Sequence, residues 1–181
     1  MDRQELIVSL REVFATRGFE GATLTEIARA SGLSKASLYH HFPDGKRGMG
    51  LALLKDAGIR LEQATLAPLR GGDTPEARIS GMLDGVRRYY DDGQRSCLLT
   101  VFALGPPDAE FNALVRARLV EWIDLLAAAL QDAGRSRKDA RRVARDAVAR
   151  IQGAAVLARA LGDPKPFRQV LKRLTAELTG G

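Results

Sequence analysis

At 181 residues the chain is long enough for one large domain or for a small module joined to a larger one. Its 45% hydrophobic and 28% charged residues exclude a disordered or collagen-like chain. No apolar run approaches the ~18 residues of a membrane span, the acidic start at Asp2, Glu5 and Glu12 is unlike a signal peptide, and the lone Cys97 rules out an internal disulfide or a Cys-rich metal site, so a cytoplasmic protein is expected. The net charge of +6 lies mostly away from the N-terminus, because residues 1–50 hold seven Lys and Arg against six Asp and Glu, whereas residues 135–150 hold seven against two; bulk charge is therefore weak ground for a nucleic-acid partner.

Helical punctuation recurs along the whole chain and strand-like alternation does not, which predicts an all-α protein of about nine helices. The first helix runs from about Arg3 to Arg17, with Leu6, Leu10 and Phe14 on one face and Gly18 as its C-terminal cap. Two short helices fall within residues 24–42. A fourth runs from about Lys46 to Leu69 and ends at Arg70-Gly71-Gly72. Thr74-Pro75 opens the fifth, whose Ile79, Met82, Leu83, Val86 and Tyr90 make an apolar stripe. The sixth covers about Ser96 to Leu104. After Gly105-Pro106, Pro107 opens a long seventh helix that Gly134 caps. Ser136 with Asp139 resembles a capping box at the start of the eighth, which runs to Leu161, and Asp163-Pro164 opens the ninth.

The informative segment is Thr23 to Lys46. In Thr23-Leu24-Thr25-Glu26 the spacing of a hydroxyl and a carboxylate is that of a capping box. Ile27 and small Ala28 lie on the inner face of the helix that follows, Gly32 supplies a left-handed turn, Leu33 enters the core, and Ser34 caps the next helix. Leu38 points inward. Lys35, Ala36, Ser37, Tyr39, His40 and His41 are then left on the outer turns, where basic, hydroxyl and aromatic groups suit phosphates and base edges in a major groove. Ordinary caps in a helical hairpin would look the same one at a time, but here all of them agree in register.

Residues 6–50 resemble the N-terminal DNA-binding domain of the TetR family of transcriptional regulators. The segments Thr23-Leu24-Thr25-Glu26-Ile27-Ala28 and Ser31-Gly32-Leu33-Ser34-Lys35-Ala36-Ser37-Leu38-Tyr39-His40-His41-Phe42 carry the resemblance. It implies that Lys35, Ala36, Ser37, Tyr39, His40 and His41 face double-stranded operator DNA, with Thr25 near the flanking backbone. The family commonly has two residues between this phenylalanine and the lysine that opens helix four, whereas Pro43, Asp44 and Gly45 intervene here; Lys46 is the implied phosphate clamp. The expected organisation is a three-helix helix-turn-helix domain at 1–50, which includes the start of the fourth helix, and a larger helical ligand-binding and dimerisation domain at 51–181.

Met82, Val86, Tyr89, Tyr90, Phe102, Phe111, Leu114 and Trp122 are candidate liners of a pocket for a small apolar or aromatic effector, although such stripes more often form core. Gly81 and Gly85, one turn apart, leave room either for a ligand or for close helix packing. The eighth helix carries a small-residue stripe of Ala140, Val143, Ala144, Ala147, Ile151, Ala154, Ala155, Ala158 and Leu161, which together with the ninth predicts a homodimer interface; an intramolecular core gives the same pattern. The run from Arg137 to Arg150 reads as a solvated face. Cys97 reads as a buried hydrophobe rather than a redox sensor. No metal or cofactor is expected, since His40 and His41 are adjacent rather than four apart, and no nucleophile with a base or phosphate-binding loop indicates an enzyme. The expected function is a ligand-responsive repressor released from a palindromic operator; the alternative is a non-specific or architectural DNA-binding protein.

Overall fold

A computed structural model describes residues 3–72, 74–105 and 108–180. Among them are nine helices and no strand, as the punctuation predicts: α1 (Arg3–Gly21), α2 (Leu24–Ser31), α3 (Lys35–His41), α4 (Gly45–Leu61), α5 (Pro75–Tyr89), α6 (Leu98–Ala103), α7 (Ala109–Asp132), α8 (Arg137–Leu161) and α9 (Lys165–Leu178). The helix α4 does not stop at Leu61. It continues through a π turn at Glu62–Leu66 into a last α-helical turn at Ala67–Arg70. Gly18, at φ 71°, breaks α1 where a cap was expected, and one more turn follows it. Pro106 and Pro107, expected to break the sixth helix and open the seventh, lie outside the described residues. The described start of α7 is held by Asp108, whose Oδ1 accepts from the backbone N–H groups of Glu110 and Phe111 at 2.9 and 3.1 Å.

The chain forms two compact units, and no single cut separates them. Met1–Gly58 joins with Cys97–Arg116, and Ile59–Ser96 joins with Ala117–Gly181. In the first unit, Leu6, Leu10, Phe14, Ile27, Leu38, Phe42, Met49 and Leu53 make the core. Residues 97–116 belong there because Phe102 stacks on Phe14 at 6.0 Å and meets Phe111 edge to face at 5.1 Å, with Phe19 against both. That cluster closes over Gly50, where any side chain would meet three of the rings at 2.9 to 3.0 Å. Buried Asp56 on α4 accepts from Arg11 at 2.9 Å and Gln4 at 3.3 Å on α1, and Arg47 on α4 donates to Asp108 at 2.8 Å and Glu110 at 2.9 Å.

In the second unit α5 packs on the π turn and the last turn of α4. A β-carbon on Gly85 would lie 1.5 Å from the Ala64 carbonyl oxygen, and one on Gly81 3.1 Å from the Pro68 β-carbon, so the pair serves close helix packing. Arg70 and Arg118 alternate with Glu62 and Glu121 in a ring of ion pairs that fastens this stretch to α7. The helices α8 and α9 pack on each other, and α9 also on α5.

Here one expectation needs correction. Ala140, Ala144, Ala147, Ile151, Ala154, Ala155 and Ala158 are buried inside the chain itself, not offered to a partner. Small side chains let α8 settle closely onto its own neighbours, and the apolar residues left outward on α8 are Val156, Leu157 and Leu161. The capping box at Ser136 is also only half made: Ser136 Oγ accepts from the Asp139 N–H at 3.2 Å, while the Asp139 carboxylate turns to Arg142 and Arg135. The basic run is outward as expected, with Arg141 paired to Asp124 and Arg150 to Glu177.

Replacing Gly85 by Ala forces the Ala64 carbonyl to move. The expected outcome is a loss of about 2 kcal/mol or more in urea unfolding, at the upper end of overpacking costs.

Candidate nucleic-acid interface

The site is built from two short helices that caps and a turn hold in place. Thr23 Oγ1 accepts from the Glu26 N–H at 3.2 Å, and the Glu26 carboxylate accepts from the Thr23 N–H at 3.3 Å, completing the capping box. Those bonds, from the Thr23 backbone first and its hydroxyl second, hold the Glu26 carboxyl below its ordinary pKa of 4.5 against the opposing effect of desolvation, with Arg17 and Arg29 adding to the lowering. Arg17 pairs with the same carboxylate at 3.3 Å. Gly32 then adopts φ 68° and ψ 11°, a left-handed conformation that costs a β-carbon-bearing residue and costs glycine little. Ser31, buried at the end of α2, donates to the Ile27 carbonyl at 2.8 Å. Ser34 Oγ accepts from the Ser37 N–H at 3.1 Å and opens α3.

With Ile27 and Leu38 fully buried between the two helices, the outer side chains of α3 are fixed. Lys35, Ala36, Tyr39 and His40 are exposed, Ser37 and His41 half-buried, and Thr25 exposed on the first turn of α2. Tyr39 stands 48% exposed, a large ring of which about half faces solvent. The His40 and His41 rings meet edge to face with centroids 6.0 Å apart. This side of α3 carries hydroxyl, imidazole and ammonium donors and no carboxylate, which matches the acceptor-rich phosphates and base edges of a duplex.

The three-residue spacer has a structural explanation. Gly45 N–H donates to the Phe42 carbonyl at 2.9 Å, which closes the turn, and Gly45 takes φ 58° with its α-carbon side so close to Tyr39 that a β-carbon would lie 3.2 Å from the ring. The additional residue is thus absorbed in the turn and α4 begins against Tyr39. Lys46 is not extended to solvent: its ammonium donates to the Glu20 carbonyl at 3.2 Å and lies 4.8 Å over the Phe19 ring. An open groove of about 590 Å³ runs here between Ala22, Thr23, Leu24, Tyr39 and the Pro43–Lys46 turn. Motif reading did not anticipate it, because its walls come from segments that only the folded chain brings together.

The candidate effector liners divide between the units. Met82, Val86, Tyr89, Tyr90 and Trp122 are buried in the second, where Tyr90 packs on Tyr89 and Phe167. Phe102, Phe111 and Leu114 stand in the first, the two phenylalanines within its aromatic cluster.

A family model of bacterial regulatory proteins of the tetR family matches residues 6–53. A second, for the C-terminal domain of LmrA/YxaF-like transcriptional regulators, matches residues 75–173, more than half of the chain. The chain belongs to the TetR family of transcriptional regulators. The HTH-type transcriptional repressor AcnR of Corynebacterium glutamicum is 27% identical over 122 residues, which cover 67% of this chain and 56% of that protein, so the chain matches little more than half the length of this relative. A TetR transcriptional regulator from Chloroflexus aurantiacus superposes with a TM-score of 0.80 at 25% identity over 98% of this chain and 94% of the other. FadR of Bacillus subtilis, solved in complex with stearoyl-CoA, shares the fold with a TM-score of 0.72 at 14% identity over 99% of each chain. As a TetR regulator the chain is a DNA-binding helix-turn-helix protein of transcription, and among its described residues no helix is long and apolar enough to cross a membrane.

Because the folded-state pKa of Glu26 lies below its unfolded value, the stability it contributes is present above pH 4.5 and is lost as pH falls through the lower folded value. Glu26→Gln should flatten that acid loss; circular-dichroism melts of both proteins across this range measure it.

Proposed function

We propose that this TetR regulator is a homodimeric repressor that binds a palindromic operator and leaves it when a small apolar or aromatic molecule occupies its second unit. The observation that carries the DNA-binding half is the capped α3, whose exposed Lys35, Ala36, Tyr39 and His40 stand on a helix fixed by Ser34 and Leu38. Lys35 at the helix start reaches a phosphate or a guanine edge, and Ala36 with the Ser37 methylene lies against a thymine methyl. Tyr39, His41 and Thr25 contact phosphates, and His40 serves either role. Lys46 joins them by exchanging the Glu20 carbonyl for a phosphate.

One such head reads one half-site, and two heads a helical turn apart read a palindrome. The outer face of α8 supports the dimer: Val156, Leu157 and Leu161 are 45%, 53% and 66% exposed at helical spacing beside Gly153, an apolar strip suited to a second copy of itself. The effector reading rests on Met82, Val86, Tyr89, Tyr90 and Trp122, and the fold relative FadR, solved in complex with stearoyl-CoA, supports a small-molecule ligand. A regulator of this kind works in the compartment that holds the DNA, and its reading needs neither catalysis nor a cofactor.

Selection from a random duplex library should yield a two-fold symmetric site that unrelated DNA competes for poorly; binding without preference would instead indicate an architectural protein. Tyr39→Ala should lower affinity for that site roughly ten-fold at fixed salt with helicity unchanged, and unaltered affinity would remove α3 as the recognition surface. Leu157→Arg should give monomers in sedimentation. A persisting dimer would move the interface elsewhere.

A further inference from the structure

Four buried side-chain polar atoms among the described residues have no hydrogen-bond partner: Arg11 Nε, Thr65 Oγ1, Arg78 Nε and Trp122 Nε1. The two arginines are satisfied through their other nitrogens, Arg11 by Asp56 and Arg78 by Asp132. Thr65 and Trp122 differ. Each side chain has one polar atom, that atom is the unpartnered one, and both residues are 0% exposed. A hydroxyl or indole N–H that has left water without a replacement partner is destabilising, so native chains rarely keep one without a use for it.

Both residues are in the second unit, and the ion-pair ring brings their helices together. Arg118 of α7 pairs with Glu62, and Glu121, next in sequence to Trp122, pairs with Arg70. Glu62 and Arg70 bracket Thr65. On its α5 side the π turn is equally close, with the Thr65 α-carbon 3.2 Å from where a Gly85 β-carbon would be, one position before buried Val86. Thr65 thus sits inside the one irregular turn of α4, and π turns within α-helices are often found at functional sites.

The chemistry of the pair selects its ligand. An indole N–H only donates and a threonine hydroxyl donates or accepts, so the complement is an acceptor. Neither residue carries charge, and Arg70 and Arg118 of the ring are already paired with Glu62 and Glu121, so a buried carboxylate would have no counter-charge of its own. A neutral carbonyl on an apolar chain meets both conditions. We infer that Thr65 and Trp122 are the polar anchor of the effector site and together hold the carbonyl oxygen of a neutral apolar ketone, ester, thioester or amide. This deepens the effector part of the proposed function and rests on it.

Trp122 is the only tryptophan, so its indole N–H gives a single resonance in a nitrogen-15 spectrum of the full chain. Titration with 2-octanone should move that resonance downfield and saturate, while octane, of the same length without an acceptor, should not. Thr65→Val should weaken 2-octanone binding roughly five-fold, as expected for one lost hydrogen bond, and Thr65→Ser should restore it. Thr65→Val should also keep or raise the melting temperature, because it removes an unpaired hydroxyl; a clear drop would mean that the hydroxyl is satisfied within the fold and would overturn the inference. An unmoved resonance up to the solubility limit of 2-octanone overturns it too. Operator binding by the same preparation separates the two readings: if it is retained while the resonance stays fixed, only the anchor falls, and if specific binding is absent, both fall.

Discussion

A helix of seven residues has no stability of its own in water, because nucleation costs more than so few hydrogen bonds return. The helix α3 is such a helix, and it carries the proposed base-reading side chains. Its existence depends on what surrounds it: the Ser34 cap at one end, the Phe42 N–H to Leu38 carbonyl bond of 2.9 Å at the other, and Leu38 driven into the core against Ile27. The capping box of α2 and the left-handed Gly32 matter for the same reason, since they set the angle at which α3 leaves the turn. The placement of the proposed recognition helix therefore depends on groups that are not among the proposed DNA contacts.

The first unit is then braced from outside the motif. Phe102 and Phe111, some sixty residues downstream of the turn-helix segment, complete the aromatic cluster on Phe14 and Phe19, and Arg47 joins α4 to Asp108 and Glu110 at the start of α7. In the second unit the equivalent constraint is a backbone contact. Only glycine at position 85 lets α5 lie against the Ala64 carbonyl, and the alternating arginines and glutamates hold that stretch to α7. Exposed ion pairs of this type add little one at a time, so their role here is chiefly to fix which residues face each other.

What could be read from the sequence was local. Caps at Thr23, Ser34, Thr74 and Ser136 and turn glycines at 32 and 134 act through bonds spanning a few residues, and their signals survive without any knowledge of the fold. What could not be read was the choice among distant partners. The alanine stripe of α8 is equally suited to its own chain or to a second copy, and its burial within the chain goes with the packing of α9 on α8. Phe102 and Trp122 carry the same kind of apolar periodicity yet fall in different units. The turn at Pro43–Gly45 had a legible oddity in its length, but the role of Gly45 against Tyr39 needed three dimensions.

The π turn at Glu62–Leu66 left no mark in the composition of the helix that contains it. Such a turn takes up one residue more than an α-helix would over the same rise, so everything on α4 after it is rotated by about 100° from where an unbroken helix would put it. Pro68, which meets Gly81, and Arg70, which meets Glu121, are on the correct sides only because of that rotation. A relative with a regular α4 would hold the corresponding residues one position earlier. Alignments across this helix should therefore carry a single-residue gap between positions 61 and 67, and an ungapped comparison would pair every residue of its last turn with the wrong counterpart.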